Sequence, residues 1–264
     1  QDKEGIPPDQ HLHWKVTRYT APRWRSLPQH AAFVPMKVLV GVTLFIALFT
    51  GLLTWLHAQM HGLFSPLQFA LAAFCVLNAW ICVCEIALFR HSAAIQRRYE
   101  EHSAKLGEGK LPPVFLFEDV GLLKMLSVFL PSEYVGTAMW ATYAALDPSY
   151  ADQASFGFCV DVGNGFTTLV PSVLFAVSIT SPLLDARNLG MLGLVMFWQE
   201  FYGTCVYFFQ YFFNGRFRRS PRAHTLGIVV PANGIWMALP ALGMWASARL
   251  VLDGSYAAFG HATA

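Results

Sequence analysis

Three carboxylic acids, Glu85, Asp161 and Glu200, stand inside long apolar runs of the sequence. An ionisable group in such a run costs several kcal/mol unless it faces a partner, water or the interior of a helix bundle. Polar and aromatic side chains cluster in the same runs: Asn78 with Glu85, Asn164 with Asp161, Gln199, Tyr202, Tyr207 and Gln210 with Glu200, and Asn233 with Trp236 further on. One buried acid is accounted for by a local structural hydrogen bond. Three acids in three runs predict a shared polar cavity, against the alternative of separate structural hydrogen bonds or span ends misjudged by a turn. The chemistry open to carboxylates placed in this way is to hold, deliver or accept a proton.

Other residue types point elsewhere. His57 and His61 stand four apart, the spacing that puts two imidazoles on one helical face for a metal or haem. They sit at the end of an apolar run, where interfacial histidines are the simpler account, and no metal and no cofactor is expected. Cys82 and Cys84, with Cys75, Cys159 and Cys205, form no zinc or redox spacing and read as buried free thiols. The Arg216 to Arg222 cluster suits anionic lipid headgroups or a plain positive-inside anchor, and the Phe and Tyr residues of 197–217 read as lipid-facing bulk. There is no phosphate loop, no nucleophile elbow and no basic and aromatic interleaving of a nucleic-acid binder.

The elements that carry these residues follow from composition. Of 264 residues, 55% are hydrophobic and 13% are charged, about half the charged share of a soluble domain, and the mean hydropathy is +0.43. Too little polar surface is left to cover a water-soluble body, which excludes a soluble enzyme. Runs of about 20 apolar residues, the length a helix needs to cross the hydrocarbon layer, fall near 35–57, 65–89, 155–179, 189–213 and 226–250. The fold class expected is an all-α integral membrane protein, a five-transmembrane-helix bundle with an interfacial helical insertion between helices 2 and 3. Its parts are a polar N-terminal tail over 1–34, a membrane domain over 35–252 with the insertion at about 91–146, and a C-terminal tail over 253–264. Within the insertion, His91 to Lys110 reads as a charged helix. Leu111 to Leu146, broken by Pro112, Pro113 and Pro131, reads as amphipathic helix on the bilayer, with Phe115, Phe117, Trp140 and Tyr143 at the interface. Lys and Arg concentrate in the tail, the 90–154 segment and the 214–225 loop, which places these on the cytosolic, matrix or stromal side and leaves Arg187 and Arg249 opposite.

The chain begins at Gln1 without an Arg-rich leader. Removal of a targeting segment is one reading of that start, and numbering alone is the other.

Several of these positions resemble a known family. The run Trp140-x-x-Tyr143-x-x-x-Asp147-x-x-Tyr150, then Cys159-x-Asp161 and Pro171, then Tyr202-Gly203-x-x-x-Tyr207, then Asn233-x-x-Trp236-x-x-x-Pro240, is similar in order and spacing to the emopamil-binding protein family of sterol Δ8–Δ7 isomerases. Those enzymes share the EXPERA domain with the sigma-2 receptor. The resemblance spans roughly 65–252. It implies a cavity open toward the bilayer in which acids move a proton and a Trp face stabilises the carbocation formed on a sterol, chemistry that suits a desolvated carboxyl and a π face. By position, Glu85, Asp161 and Glu200 would be the catalytic acids, and Tyr143, Tyr150, Tyr202, Asn233 and Trp236 the ligand-binding residues. Four positions depart from the family: Ile81 stands where the isomerases carry a His one turn before their second-helix acid, the third-helix Glu is the shorter Asp161, and in the fourth helix Glu200 and Thr204 stand where the family motif has Gln and Asp.

The function expected is therefore binding of a sterol or sterol-like membrane lipid in a polar-lined intramembrane cavity, with isomerase-type proton transfer left open by Ile81. The rival expectation is a catalytically silent subunit of an organellar membrane complex, with protein partners. The resemblance implies the endoplasmic reticulum, and the rival a mitochondrial or plastid inner membrane. No nucleic acid partner is expected. No inverted repeat or pair of broken helices points to transport.

Overall fold

The computed structural model describes residues 35–108, 113–219, 222 and 225–261. The tail expected over 1–34, Lys110 to Pro112 of the insertion and the last three residues lie outside them. Among the described residues the chain is mostly helical: α1 Val38–His61, α2 Pro66–Arg90, α3 Ser92–Gly107, α4 Leu122–Ser127, α5 Glu133–Val135, α6 Ala141–Leu146, α7 Phe156–Ser178, α8 Ala186–Phe213 and α9 Val230–Asp253. One two-residue antiparallel pair, β1 Met36–Lys37 with β2 Asp119–Val120, ties the start of α1 to the insertion.

The helix starts and stops are set by local chemistry. Ser65 accepts a hydrogen bond from the Gln68 backbone N–H while Pro66 takes a position that needs no N–H. Ser155 and Asp185 cap α7 and α8 in the same way. Gly62 and Gly254 end α1 and α9 in the left-handed conformation that a side chain would resist. Among the described residues, four helical stretches are long and apolar enough to cross a membrane: Val38–His61, Pro66–Arg90, Phe156–Ser178 and Thr225–Asp253. The protein is thus an all-α protein with the character of an integral membrane protein. Helix α8 is the longest at 28 residues, but Arg187, Gln199, Glu200 and Gln210 make it more polar than the other four.

Helix α2 packs along α7 and α8 packs along α9. The α7–α8 contact joins the two pairs, and α1 lies against α2. Gln68 at the start of α2 donates to Thr180 just past the end of α7 at 2.9 Å, so these two run antiparallel. One end of the assembly therefore carries the short connections 62–65 and 179–185 with the 254–261 segment, and the other carries the described residues of the 91–155 insertion and of the 214–229 loop.

Within the insertion, two of the rings read as interfacial are buried instead. Helix α3 is the charged helix read over His91 to Lys110, ending at Gly107. Beyond it, Phe115 and Trp140 are buried in the core and only Phe117 is exposed. The Trp140 indole N–H donates to the Cys84 carbonyl at 2.6 Å, and Phe115 packs on Tyr134. An aromatic ring with a polar edge is as stable in a core that offers an acceptor as at a bilayer surface, and here α2 offers one. The insertion is a cap on the helix ends, built from short helical turns.

Candidate functional site

A cavity of about 140 Å³ lies at the capped end of the helices, and Glu85, Asp161, Glu200, Tyr143, Tyr150, Asn233 and Trp236 all line it. Glu85 comes from the last turns of α2, Asp161 from the second turn of α7, Glu200 from the middle of α8, and Asn233 and Trp236 from the first turns of α9. Four separate helices thus place their polar residues on one volume, as the shared-cavity reading expects.

Two of the acids are held by amides. Asn164 Nδ2 donates to Glu85 Oε2 at 2.8 Å and Asn78 Nδ2 donates to Glu200 Oε1 at 2.7 Å. The first bond depends on a close approach. A Cβ at Gly165 would fall 2.8 Å from the Glu85 Cβ and 3.0 Å from the Cys82 carbonyl, so only glycine lets α7 close on α2 here. Asn78 also donates toward Ser172 and Thr168, and its Oδ1 accepts the Trp236 indole N–H at 3.1 Å. Trp236 is thereby fixed with its ring on the cavity and against the edge of Phe74. Glu200 Oε2 is buried and has no hydrogen-bond partner, a state that leaves one acceptor of a cavity acid open for a donor.

An aromatic wall from the insertion closes the volume. Trp140 stacks on Tyr150 at 5.2 Å, and Tyr143 meets Tyr150 edge-on at 5.0 Å. Asn233 Nδ2 donates to the Tyr143 hydroxyl at 2.8 Å, and Tyr150 lies against Asp161. Burial pushes the Tyr143 and Tyr150 phenols well above their ordinary value, so both keep their protons and remain donors.

Tyr202 is the exception among the expected ligand-binding residues. It is 53% exposed on the outer face of α8, stacked on Trp198, and does not line the cavity. That part of the wall is built by Gly203, Thr204 and Tyr207. Residues the sequence reading did not place as functional are Asp147 and Arg216. Tyr207 OH donates to Asp147 Oδ2 at 2.9 Å, and Arg216 pairs with Asp147 Oδ1 at 3.1 Å. One arginine of the basic cluster therefore points inward to a fully buried acid instead of outward to headgroups. The buried acid in a Pro-flanked turn was the available signal for this pair.

The remaining candidates distribute as follows. Cys75, Cys82 and Cys84 are buried free thiols, Cys205 is half-buried and Cys159 is exposed. In the 197–217 stretch Phe209, Phe212 and Phe213 are exposed, whereas Phe197, Tyr207 and Tyr211 are buried, so the lipid-facing reading covers part of it. Set against protein families, curated proteins and solved structures, the chain matches none.

Proposed function

We propose that the cavity binds the polar or cationic head of a sterol-like membrane lipid, in the manner of the EXPERA proteins that the sequence motifs resemble. The observation that carries this reading is the convergence of Glu85, Asp161 and Glu200 on one volume faced by the Trp236 ring. Glu200 Oε2 supplies an open acceptor there. The volume narrows the ligand. About 140 Å³ is less than the roughly 300–1,000 Å³ of a site that swallows a drug-sized molecule, so the cavity takes a head group or one end of a ring system while the remainder lies along the helices.

In this reading α8 is a fifth crossing and the insertion rests at the membrane surface. Support comes from the outer face of α8, where Met191, Val195, Trp198, Tyr202, Phe209 and Phe213 are all exposed. Such a face is stable in hydrocarbon and its rings suit the interface. Isomerase-type proton transfer extends the reading further, with Glu85 and Asp161 as acids and Trp236 stabilising a cation.

The test is binding of a tertiary-amine sterol mimic to the purified protein in detergent. Glu85→Gln removes a carboxylate with little change of shape, and a loss of affinity of tenfold or more in a variant that elutes as a folded peak is the expected result. Unchanged affinity in Glu85→Gln and in Glu200→Gln would overturn the reading. Lipid mass spectrometry on the native particle separates the rival reading: a small particle with a stoichiometric sterol supports binding, and a large assembly with only bulk phospholipid supports a scaffold subunit.

A further inference from the structure

The end of the molecule opposite the cavity carries a second cluster, independent of the lipid-binding reading. His57 and His61, one turn apart at the end of α1, meet His261 from the segment that follows α9. Ring centroids are 4.7 Å apart for His57 and His61, 5.3 Å for His57 and His261, and 3.7 Å for His61 and His261. One ring nitrogen from each lies within 4.8 Å of the other two. His57 is fully buried, and His261 is nearly so at 9% exposure.

All three rings are held in the same way. Nε2 of His57 is 3.0 Å from the Phe259 carbonyl, Nε2 of His61 is 3.1 Å from the Thr180 carbonyl, and Nε2 of His261 is 3.0 Å from the Ile179 carbonyl. A carbonyl oxygen can only accept, so the proton sits on Nε2 in each ring, and the lone pair of each neutral imidazole is on Nδ1. An imidazole N–H anchored on a backbone carbonyl is the outer-shell arrangement that fixes the tautomer and aim of a metal-ligating histidine. A second observation points the same way: His57 Nδ1 is buried with no hydrogen-bond partner.

We propose that Nδ1 of His57, His61 and His261 bind one divalent d-block cation of the Zn²⁺ type, clasping the C-terminal segment onto the end of α1. Three imidazoles and one open position form a donor set that Zn²⁺ accepts. Zn–N bonds of about 2.0–2.1 Å place ligand nitrogens roughly 3.4 Å apart. The His61 and His261 rings therefore turn out of their stack, and nitrogens up to 4.8 Å apart draw together by up to about 1.4 Å on binding.

The experiment uses the full chain in detergent, stripped with a chelator and titrated with Co²⁺ as a spectroscopic probe, then with Zn²⁺. The expected result is one Co²⁺ per chain with the intense visible bands of a four-coordinate site, displaced by one equivalent of Zn²⁺. His61→Gln and His261→Gln each weaken Zn²⁺ binding by roughly 100-fold, while Cys159→Ser, which removes an exposed thiol, leaves it unchanged. Zn²⁺ also raises the Tm of the parent protein and not that of either Gln variant. Absence of saturable Co²⁺ binding by the parent protein would overturn the proposal whatever the variants do, as would equal affinity in the parent and both Gln variants.

Discussion

Asn78 donates a 2.7 Å hydrogen bond from α2 to Glu200 of α8, and the same amide accepts the indole N–H of Trp236 from α9. With its contacts to Thr168 and Ser172 of α7, one side chain ties together four helices at full burial. Asn78→Leu leaves both the Glu200 carboxylate and the Trp236 N–H without their partner, at a cost of about 1–3 kcal/mol for each group. The expected outcome is a lower Tm in detergent together with a weaker response to the amine ligand, since Trp236 loses its anchor. An unchanged Tm would show that the network orients the cavity without stabilising the bundle.

The α8–α9 interface depends on the absence of side chains at particular points. A Cβ at Gly190 would sit 2.7 Å from the Ser247 carbonyl oxygen and 3.0 Å from the Val251 backbone nitrogen, neither of which can rotate away. Small residues let helix backbones approach closely where lipid gives no hydrophobic drive for association. Gly190→Ala is expected to destabilise by about 1–3 kcal/mol through overpacking. Gly163, whose added Cβ meets nothing within 4 Å, is the control. Gly163→Ala is expected to be neutral or stabilising by up to about 1 kcal/mol through helix propensity. Thermal unfolding of the two variants side by side checks both signs.

The insertion is fastened to α8 and the loop that follows it through charge. Asp147 is fully buried and holds both Arg216 and the Tyr207 hydroxyl. Removing the arginine alone strands a buried carboxylate, at a cost of about 3–5 kcal/mol. Arg216→Met is therefore expected to be more damaging than the double variant Arg216→Met with Asp147→Asn, in which the remaining amide can still accept from Tyr207. A double-mutant cycle on Tm measures this. Additive effects would mean that the pair does not interact.

The ease of reading each part from the sequence follows its physics. The long helices were legible because about 20 apolar residues in a row have few other uses, and the spans read near 65–89 and 155–179 lie within a residue or so of Pro66–Arg90 and Phe156–Ser178. The cavity acids were legible for the complementary reason, that Glu85, Asp161 and Glu200 are conspicuous where charge is expensive. Tyr202 was misplaced because spacing gives a helix its period and not its rotation. Gly203, one residue on, faces Val160 across the α7–α8 contact, and that contact turns Tyr202 outward. Trp140 and Phe115 read as interfacial because composition does not reveal that the insertion folds under α2, where the Cys84 carbonyl takes the indole proton. His57 and His61 read as a pair at a helix end because their third partner, His261, is brought to them only by the turn after Gly254 at the far end of the chain.

Ile81 lines the cavity together with Glu85, one turn further along α2, and under the proposed isomerase-like reading its position would call for a histidine. A general acid–base partner typically contributes about 10²–10⁴-fold to a proton transfer, so under the proposed reading an isoleucine here would leave binding without efficient turnover. Ile81→His returns an imidazole to that wall. Isoleucine and histidine are close enough in size for the exchange to fit a surface that already borders a cavity. If the cavity is built on the isomerase plan, the variant converts a Δ8-sterol to its Δ7 isomer at least about tenfold faster than the parent protein, within the range of a restored acid–base group. Adding Trp236→Leu to the variant removes the gain, because the cation formed on protonation then lacks its π face. Gas chromatography of the extracted sterols reads both rates. A variant that still binds the amine ligand yet shows no faster conversion would mean that the acids serve recognition alone, and the proton-transfer extension would fall while the binding reading stood.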